Sequence, residues 1–476
     1  MPDAYAHGSI RSVDELRPGI LPLRQRAVAR DEWLRGRLDS YLPELMAREG
    51  FDTWIVIARE YNEDPVIMSM LPEPFMHARR RTIILFTLLG DGTVERLTFA
   101  RYGMGDFYKT VWDPDKEEQY TCLAREIKRR KPKKIGINVS ETTAFGDGLT
   151  HGEYTQLVRA LGPGYSKRLA GAERLAVGWL EHRTPAELEA YPGIVAITHA
   201  LVEEAFSGRV IHPGVTTTDD VAWWMRQKMV DLGLEPWFPP TVDLQAQDQP
   251  YDKPAERKLI KHGDLLHCDV GFYYLGLATD VQRNVYVLKP GESDAPDGLK
   301  AVLRDGNRLQ DILGGEMAVG RTGNDVLRSA RERAISEGIK PSIYTHPLGT
   351  HGHAAGTTIG LWDRQEGVPS TGDYPLHADT CYAIELNAKK AVPEWGNQEV
   401  KMSLEEDAVL TQKGLSWLSD RRPAYTSPNR RRSRRRVSVS RGLPYLRSSR
   451  SVRSLGRRGR TPRRRSEPPP RTRDRL

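Results

Sequence analysis

The chain has 476 residues, 38% of them hydrophobic, three cysteines and a net charge of +8. That length exceeds one ordinary domain and allows two sizeable cores. No apolar run reaches the roughly 18 residues of a membrane-spanning helix, and MPDAYAHGSIRSVDELRPG lacks the basic start and apolar core of a signal peptide. Cys122, Cys268 and Cys381 are odd in number and far apart, which argues against a disulfide framework and for a reducing compartment. The expectation is a soluble, cytoplasmic protein with no membrane partner.

The charge is unevenly spread. From Arg421 onward there are 21 Arg, no Lys and two acids, Glu467 and Asp474, a net of +19. Taking that from +8 leaves −11 for residues 1–420. The body is therefore acidic. The tail, with RRRSRRR, GRRGR and PRRRSEPPPR, is a low-complexity Arg/Ser/Pro segment that cannot bury a core. Three readings of it stay open: binding of nucleic acid or an anionic surface, a solvated disordered extension, or a stretch read out of frame. Nucleic acid is otherwise not expected as a partner, and then only through non-specific contact with this tail.

Taken in chain order, residues 21–50 show helical spacing, with Leu34, Leu38, Tyr41, Leu42, Leu45 and Met46 on one face and Gly50 as a stop. FDTWIVIARE reads as a strand. RTIILFTLL and TVERLTFARY read as two more, joined by a GDG turn. EQYTCLAREIKRR reads as a helix and KKIGINVS as a strand, so residues 1–175 form an α/β domain. HRTPAELEAY opens a helix at Thr184–Pro185, with Thr as N-cap and Pro at the first helical position. HPGVTTTDDVAWWMRQKMVDLG opens a second. Beyond residue 257 strands dominate, interrupted by one helical stretch over about 295–337. Residues 176–418 are thus expected to form an α+β domain built on antiparallel hairpins, and 419–476 the disordered tail.

The stretch GDLLHCDVGFYYLGLATD carries two aspartates in a run that otherwise reads as strand. If the hairpin turns at Tyr274–Leu275, Asp269 and Asp280 are directly opposed on one face. Opposed, buried carboxylates repel. Either one keeps its proton or a cation lies between them, and two acids on a rigid β scaffold suit a hard metal. Further ligand types are present: His346, His351 and His353 in THPLGTHGHAAG, Glu385 inside the apolar strand CYAIELN, and Glu405 and Glu406 in KMSLEEDAVLT. Cys268 should point away from Asp269, into the core.

Two Asp eleven residues apart, a His with Gly three on, a Glu in an apolar strand and a last Glu six before Thr together resemble the creatinase / prolidase / Xaa-Pro aminopeptidase superfamily, the pita-bread metallopeptidases. HPGVTTTDDVAWW and LEHRTPAELEAY are also similar to it, and the resemblance spans about residues 20–415. It implies an α/β creatinase-like N-terminal domain before a pita-bread catalytic domain. It also implies two divalent ions (Mn, Co or Zn) on Asp269, Asp280, His353, Glu385 and Glu405. Asp280 and Glu405 would bridge the two ions. Asp269 would hold one, and His353 with Glu385 the other. Glu385 would also move the proton from the attacking water to the leaving amine. The implied activity is cleavage of an N-terminal amide bond, of Xaa-Pro type, in a homodimer. The alternatives are creatinase-like hydrolysis of a small non-peptide C–N substrate, or a non-catalytic binding protein on the same fold. The family's histidine before the first Asp has no counterpart between His212 and His262. Counted from His353, its histidine seven residues on falls at Gly360. His346 and His351 are then left as substitutes for substrate contact.

Overall fold

The computed structural model describes residues 12–253 and 257–419. The Arg-rich tail from residue 420 on, with its three readings, lies outside them. No described helix is long and apolar enough to cross a membrane. All three cysteines are buried and unpaired.

The first half is organised by one six-stranded sheet. Its strands are β1 (Thr53–Arg59), β2 (Arg81–Leu88), β3 (Val94–Thr98), β4 (Lys109–Thr110), β5 (Ile135–Ile137) and β6 (Leu169–Gly171), in spatial order β4-β3-β2-β1-β5-β6. β1 is buried on both faces because its apolar run feeds two cores. Trp54, Val56 and Ala58 pack on one side, and Ile55 and Ile57 on the other. The expected 21–50 helix forms as Leu23–Gly36 and Leu42–Arg48 around a π-helical turn at Arg37–Tyr41. All six residues of its predicted apolar face are buried.

The second half begins with the helices Pro185–Ala205 and Thr218–Asp231. Each starts where the sequence predicts. Thr184 and Glu187 form one reciprocal capping box, and Thr217 and Asp220 the other, satisfying the first free N–H groups of each helix. The predicted helical stretch over 295–337 is two helices, Asp297–Glu316 and Gly323–Ser336. A second N-cap at Thr322, whose side chain accepts from Asp325 N, restarts the helix after a break.

The strands of this half are β7 (Glu235–Pro236), β8 (Thr241–Gln245), β9 (Leu265–Val270), β10 (Phe272–Tyr274), β11 (Leu277–Ala278) and β12 (Val281–Tyr286), followed by β13 (Lys340–Ile343), β14 (His346–Leu348), β15 (Thr380–Ala383), β16 (Leu386–Val392), β17 (Gln398–Leu404), β18 (Asp407–Thr411) and β19 (Gly414–Trp417). They form small sheets ordered β11-β10-β7, β12-β9-β8, β13-β16-β17 and β14-β15-β18-β19. Strand alternation decides what each face meets. On β9, Leu266, Cys268 and Val270 pack into the core beneath the Pro185–Ala205 helix, so Cys268 is core filler as expected. His267 and Asp269 face the other way.

The hairpin register differs from the sequence expectation. The turn is Leu275–Gly276, both at positive φ (57° and 75°), the two-residue geometry that matches strand twist. Tyr274 pairs with Leu277, and further down Asp269 pairs with Gln282. Asp280 is therefore diagonal to Asp269, not opposite it. The shift moves the pairing by two residues, so both carboxylates keep the same face.

Candidate metal centre

Five chain segments deliver side chains to one buried place. Asp269 is the penultimate residue of β9 and Asp280 immediately precedes β12. His346 opens β14, Glu385 lies between β15 and β16, and Glu405 lies between β17 and β18. Main-chain bonds tie the segments together: Gln282 N donates to Glu405 O (3.3 Å), and Tyr344 N to Glu385 O (3.1 Å). Asp280, His346, Glu385 and Glu405 are buried, and Asp269 is half-buried.

Two triads of ligand-type atoms arise, each with its atoms within 4.8 Å of one another: Asp269, Asp280 and Glu405, and His346, Glu385 and Glu405. Glu405 belongs to both. Asp280, His346 and His353 make a third such group. Asp269 Oδ1, Asp280 Oδ1, His346 Nε2 and both Glu405 oxygens are buried with no hydrogen-bond partner among the described residues. Orphaned buried polar atoms are costly and rare, and here they converge.

The electrostatics agree. Burial, then Glu405, Asp269 and Glu385, push the Asp280 carboxyl far above the ordinary carboxylate range. Burial, then Asp269, does the same to Glu405. Burial, then Glu405 and Asp269, push Glu385 up to about 10. Burial also raises Asp269. Four carboxylates cannot all ionise in this space without a cation, whereas a divalent ion removes the conflict. The donor set of three or four carboxylates and one imidazole suits divalent metals.

The structure separates the three histidines. His346 lies with Nε2 3.7 Å from Asp280 Oδ2 and 3.6 Å from Glu405 Oε1. Its Nδ1 is 3.0 Å from the Pro347 carbonyl, so Nδ1 donates and Nε2 presents a bare lone pair to the carboxylates. Burial holds it neutral, down to about 4. His353, which the sequence reading made the ligand, is exposed. It stands edge-on to His346 at 4.6 Å and to Trp237 at 5.2 Å. It reaches Asp280 and His346, whereas the triad with Glu385 and Glu405 contains His346 alone of the three. His351 packs tilted against Phe145, ring centroids 4.8 Å apart, and joins none of the groups. The reason is local geometry: His346 starts a strand paired to the one that runs into Glu385, whereas His351 and His353 occupy an irregular turn.

The two neighbouring glutamates also part. Glu406 turns to the opposite side, 2.7 Å from Arg283 and 3.4 Å from His199. Burial opposes its ionisation, but Arg283 and His199 together outweigh it and keep the carboxyl low. The sequence reading missed two contributors. Asp407, buried and pushed up by burial and by Glu405, accepts from Asp280 N at 3.3 Å. Gln282 sits between Asp269 and Glu385. Asp407 was visible as a third acid in LEED, and Gln282 as a polar residue two after Asp280 on the same strand face.

Residues 193–412 match the model of metallopeptidase family M24. These residues carry the pita-bread fold. The chain is similar in fold to an X-Pro aminopeptidase from Thermotoga maritima (TM-score 0.58, 17% identity, 81% of this chain and 99% of that one). It is also similar to the dipeptidase PepE from Mycobacterium ulcerans (0.55, 16%, 83% and 98%), and to an Xaa-Pro dipeptidase from Bacillus anthracis (0.53, 18%, 84% and 99%). No curated protein matches the chain. The M24 match begins inside the Pro185–Ala205 helix and ends one residue beyond β18, so all five metal-centre segments fall within it.

Proposed function

We propose that this protein is a metal-dependent hydrolase that cleaves the amide bond following the N-terminal residue of a peptide. The observation that carries the reading is the pair of triads sharing Glu405, lined with buried atoms that have no hydrogen-bond partner among the described residues. Asp269, Asp280 and Glu405 would hold one divalent ion, and His346, Glu385 and Glu405 the other, with Asp280 also within reach of His346. Mn, Co and Zn all suit this donor set. A divalent pair bound there supplies a water of lowered pKa and polarises the scissile carbonyl.

The chain's own residues do the rest. Glu385, ionised when a cation neutralises its neighbours, would take the proton of the attacking water, and the protonated carboxyl that burial favours would then deliver it to the leaving amine. With His346 as ligand, the superfamily spacing also falls into place: Gly349 lies three residues on and His353 seven on. His353, at the exposed edge of the centre beside Trp237 and Tyr344, is then the substrate-facing histidine, and Gly360 no longer marks a loss. Residues 1–175 form the preceding α/β domain, residues 176–418 the catalytic one, and the active species is a homodimer.

The test is purified protein loaded with Mn or Co and offered short peptides, with and without proline at the second position. Release of the N-terminal residue is expected, faster with proline. Absence of any bound divalent ion, together with a silent Asp280→Asn variant, would end the proposal. Turnover of small amidine substrates in place of peptides would favour creatinase-like chemistry.

A further inference from the structure

Gln282 touches three of the five candidate ligands. It is 2% exposed and stands opposite Asp269 in the β9–β12 ladder. Its Nε2 is 2.5 Å from Glu385 Oε1 and 3.4 Å from Asp269 Oδ2. Its main-chain N donates to Glu405 O. On the far side, its Oε1 is 2.9 Å from His267 Nε2, and His267 Nδ1 is 3.1 Å from Asp243 Oδ2.

The orientation of the amide follows from donor and acceptor chemistry. With a cation in the centre Glu385 and Asp269 are ionised and their oxygens only accept, so the NH2 group faces them. The reverse orientation would set a carbonyl oxygen against two carboxylates. Oε1 then faces His267, and Nε2 of that ring must donate to it. The other ring nitrogen faces Asp243. A directed chain results, from Asp243 through His267 and Gln282 to the metal-centre carboxylates, in which each link has one allowed direction.

We infer that Gln282 is a positioning residue of the metal centre. Its amide aims the carboxylates of Glu385 and Asp269, and His267, backed by Asp243, locks that amide in place. The inference rests on the metal reading above. A role in packing alone would need only the shape of the side chain, whereas positioning needs its N–H groups, and neighbours of this kind tune metal affinity.

The experiment uses the full chain and Mn2+ alone, with affinity read by chelator competition. Gln282→Leu, Gln282→Glu, His267→Phe and the His267→Phe/Gln282→Leu pair are compared with the unmodified protein. Gln282→Leu and Gln282→Glu are expected to weaken Mn2+ binding about 10–100-fold, His267→Phe by less, and the double variant no more than Gln282→Leu alone. Melting of the metal-free proteins checks folding, and Gln282→Glu preserves the shape if the leucine variant melts early. Unchanged Mn2+ affinity in Gln282→Glu, or additive effects of the two sites, would overturn the inference while leaving the metal reading intact. Failure of the unmodified protein to bind Mn2+ would overturn both.

Discussion

Asp269 faces Gln282 across the β9–β12 ladder, and Asp280 lies one diagonal step away on the same face. The offset leaves the two carboxylates beside each other, with Glu405 completing a triad. Removing one charge should therefore have opposite effects on function and on stability. Asp280→Asn is expected to abolish peptide hydrolysis. In the presence of chelator it should melt higher than the unmodified protein, by about 1–3 kcal/mol, because a buried, repelling carboxyl is gone. Metal analysis and paired melts with and without chelator check this.

The histidines should separate cleanly. His346→Ala is expected to weaken divalent metal binding about 100-fold or more, through loss of an inner ligand. His353→Ala should stay within about threefold in metal affinity while lowering kcat/KM. The reverse pattern would restore His353 as ligand. Chelator competition and peptide kinetics on the two variants decide between them.

Stability should depend on pH with a defined sign. The Glu385 carboxyl is pushed from 4.5 to about 10 by burial and by Glu405 and Asp269, so the folded metal-free chain holds a proton that the unfolded chain has released. Its contribution to stability is present below about pH 4.5 and is lost as pH rises toward about 10. The slope reaches about 1.4 kcal/mol per pH unit per group. Urea melts of metal-free protein between pH 6 and 9 should show stability falling with pH. Saturating Mn2+ should flatten that slope, since the cation replaces the proton.

Gly271 lies between the two aspartates, where β9 gives way to β10. A Cβ there would sit 2.1 Å from Thr279 O and 2.4 Å from Trp237 Nε1. That indole donates to the same carbonyl at 2.9 Å. Gly271→Ala is expected to cost about 1–3 kcal/mol by forcing the backbone apart and to reduce metal affinity by shifting Asp269 relative to Asp280. Thermal unfolding and Mn2+ titration measure the two effects.

Much of the fold was legible because its signals are local. Thr184–Pro185 announced one helix start and the HPGVTTTDD stretch a second, which the structure caps at Thr217. The alternating apolar residues of β9 sorted Cys268 into the core. The expected single stretch is broken after Glu316, and the cap at Thr322, whose side chain accepts from Asp325 N, restarts the helix. The hairpin turn was placed one residue early: Gly276 is the residue suited to the left-handed position, but Leu275 beside it is not, and the tertiary packing of the hairpin held it there.

By itself the sequence placed Asp269 and Asp280 on one face on condition of a two-residue turn, because every two-residue turn gives the same parity of strand register. It also determined that the acids come in an order able to surround a cation. Tertiary structure alone brought His346 within reach of Glu385 and Glu405, and His353 within reach of Asp280 and His346. His346, His351 and His353 differ little as sequence, but a strand fixes one and a turn carries the others, and a turn's direction is set by what it packs against. The same is true of Gln282: its chemistry is ordinary until β9, β12 and the Glu385 segment are brought within hydrogen-bond distance.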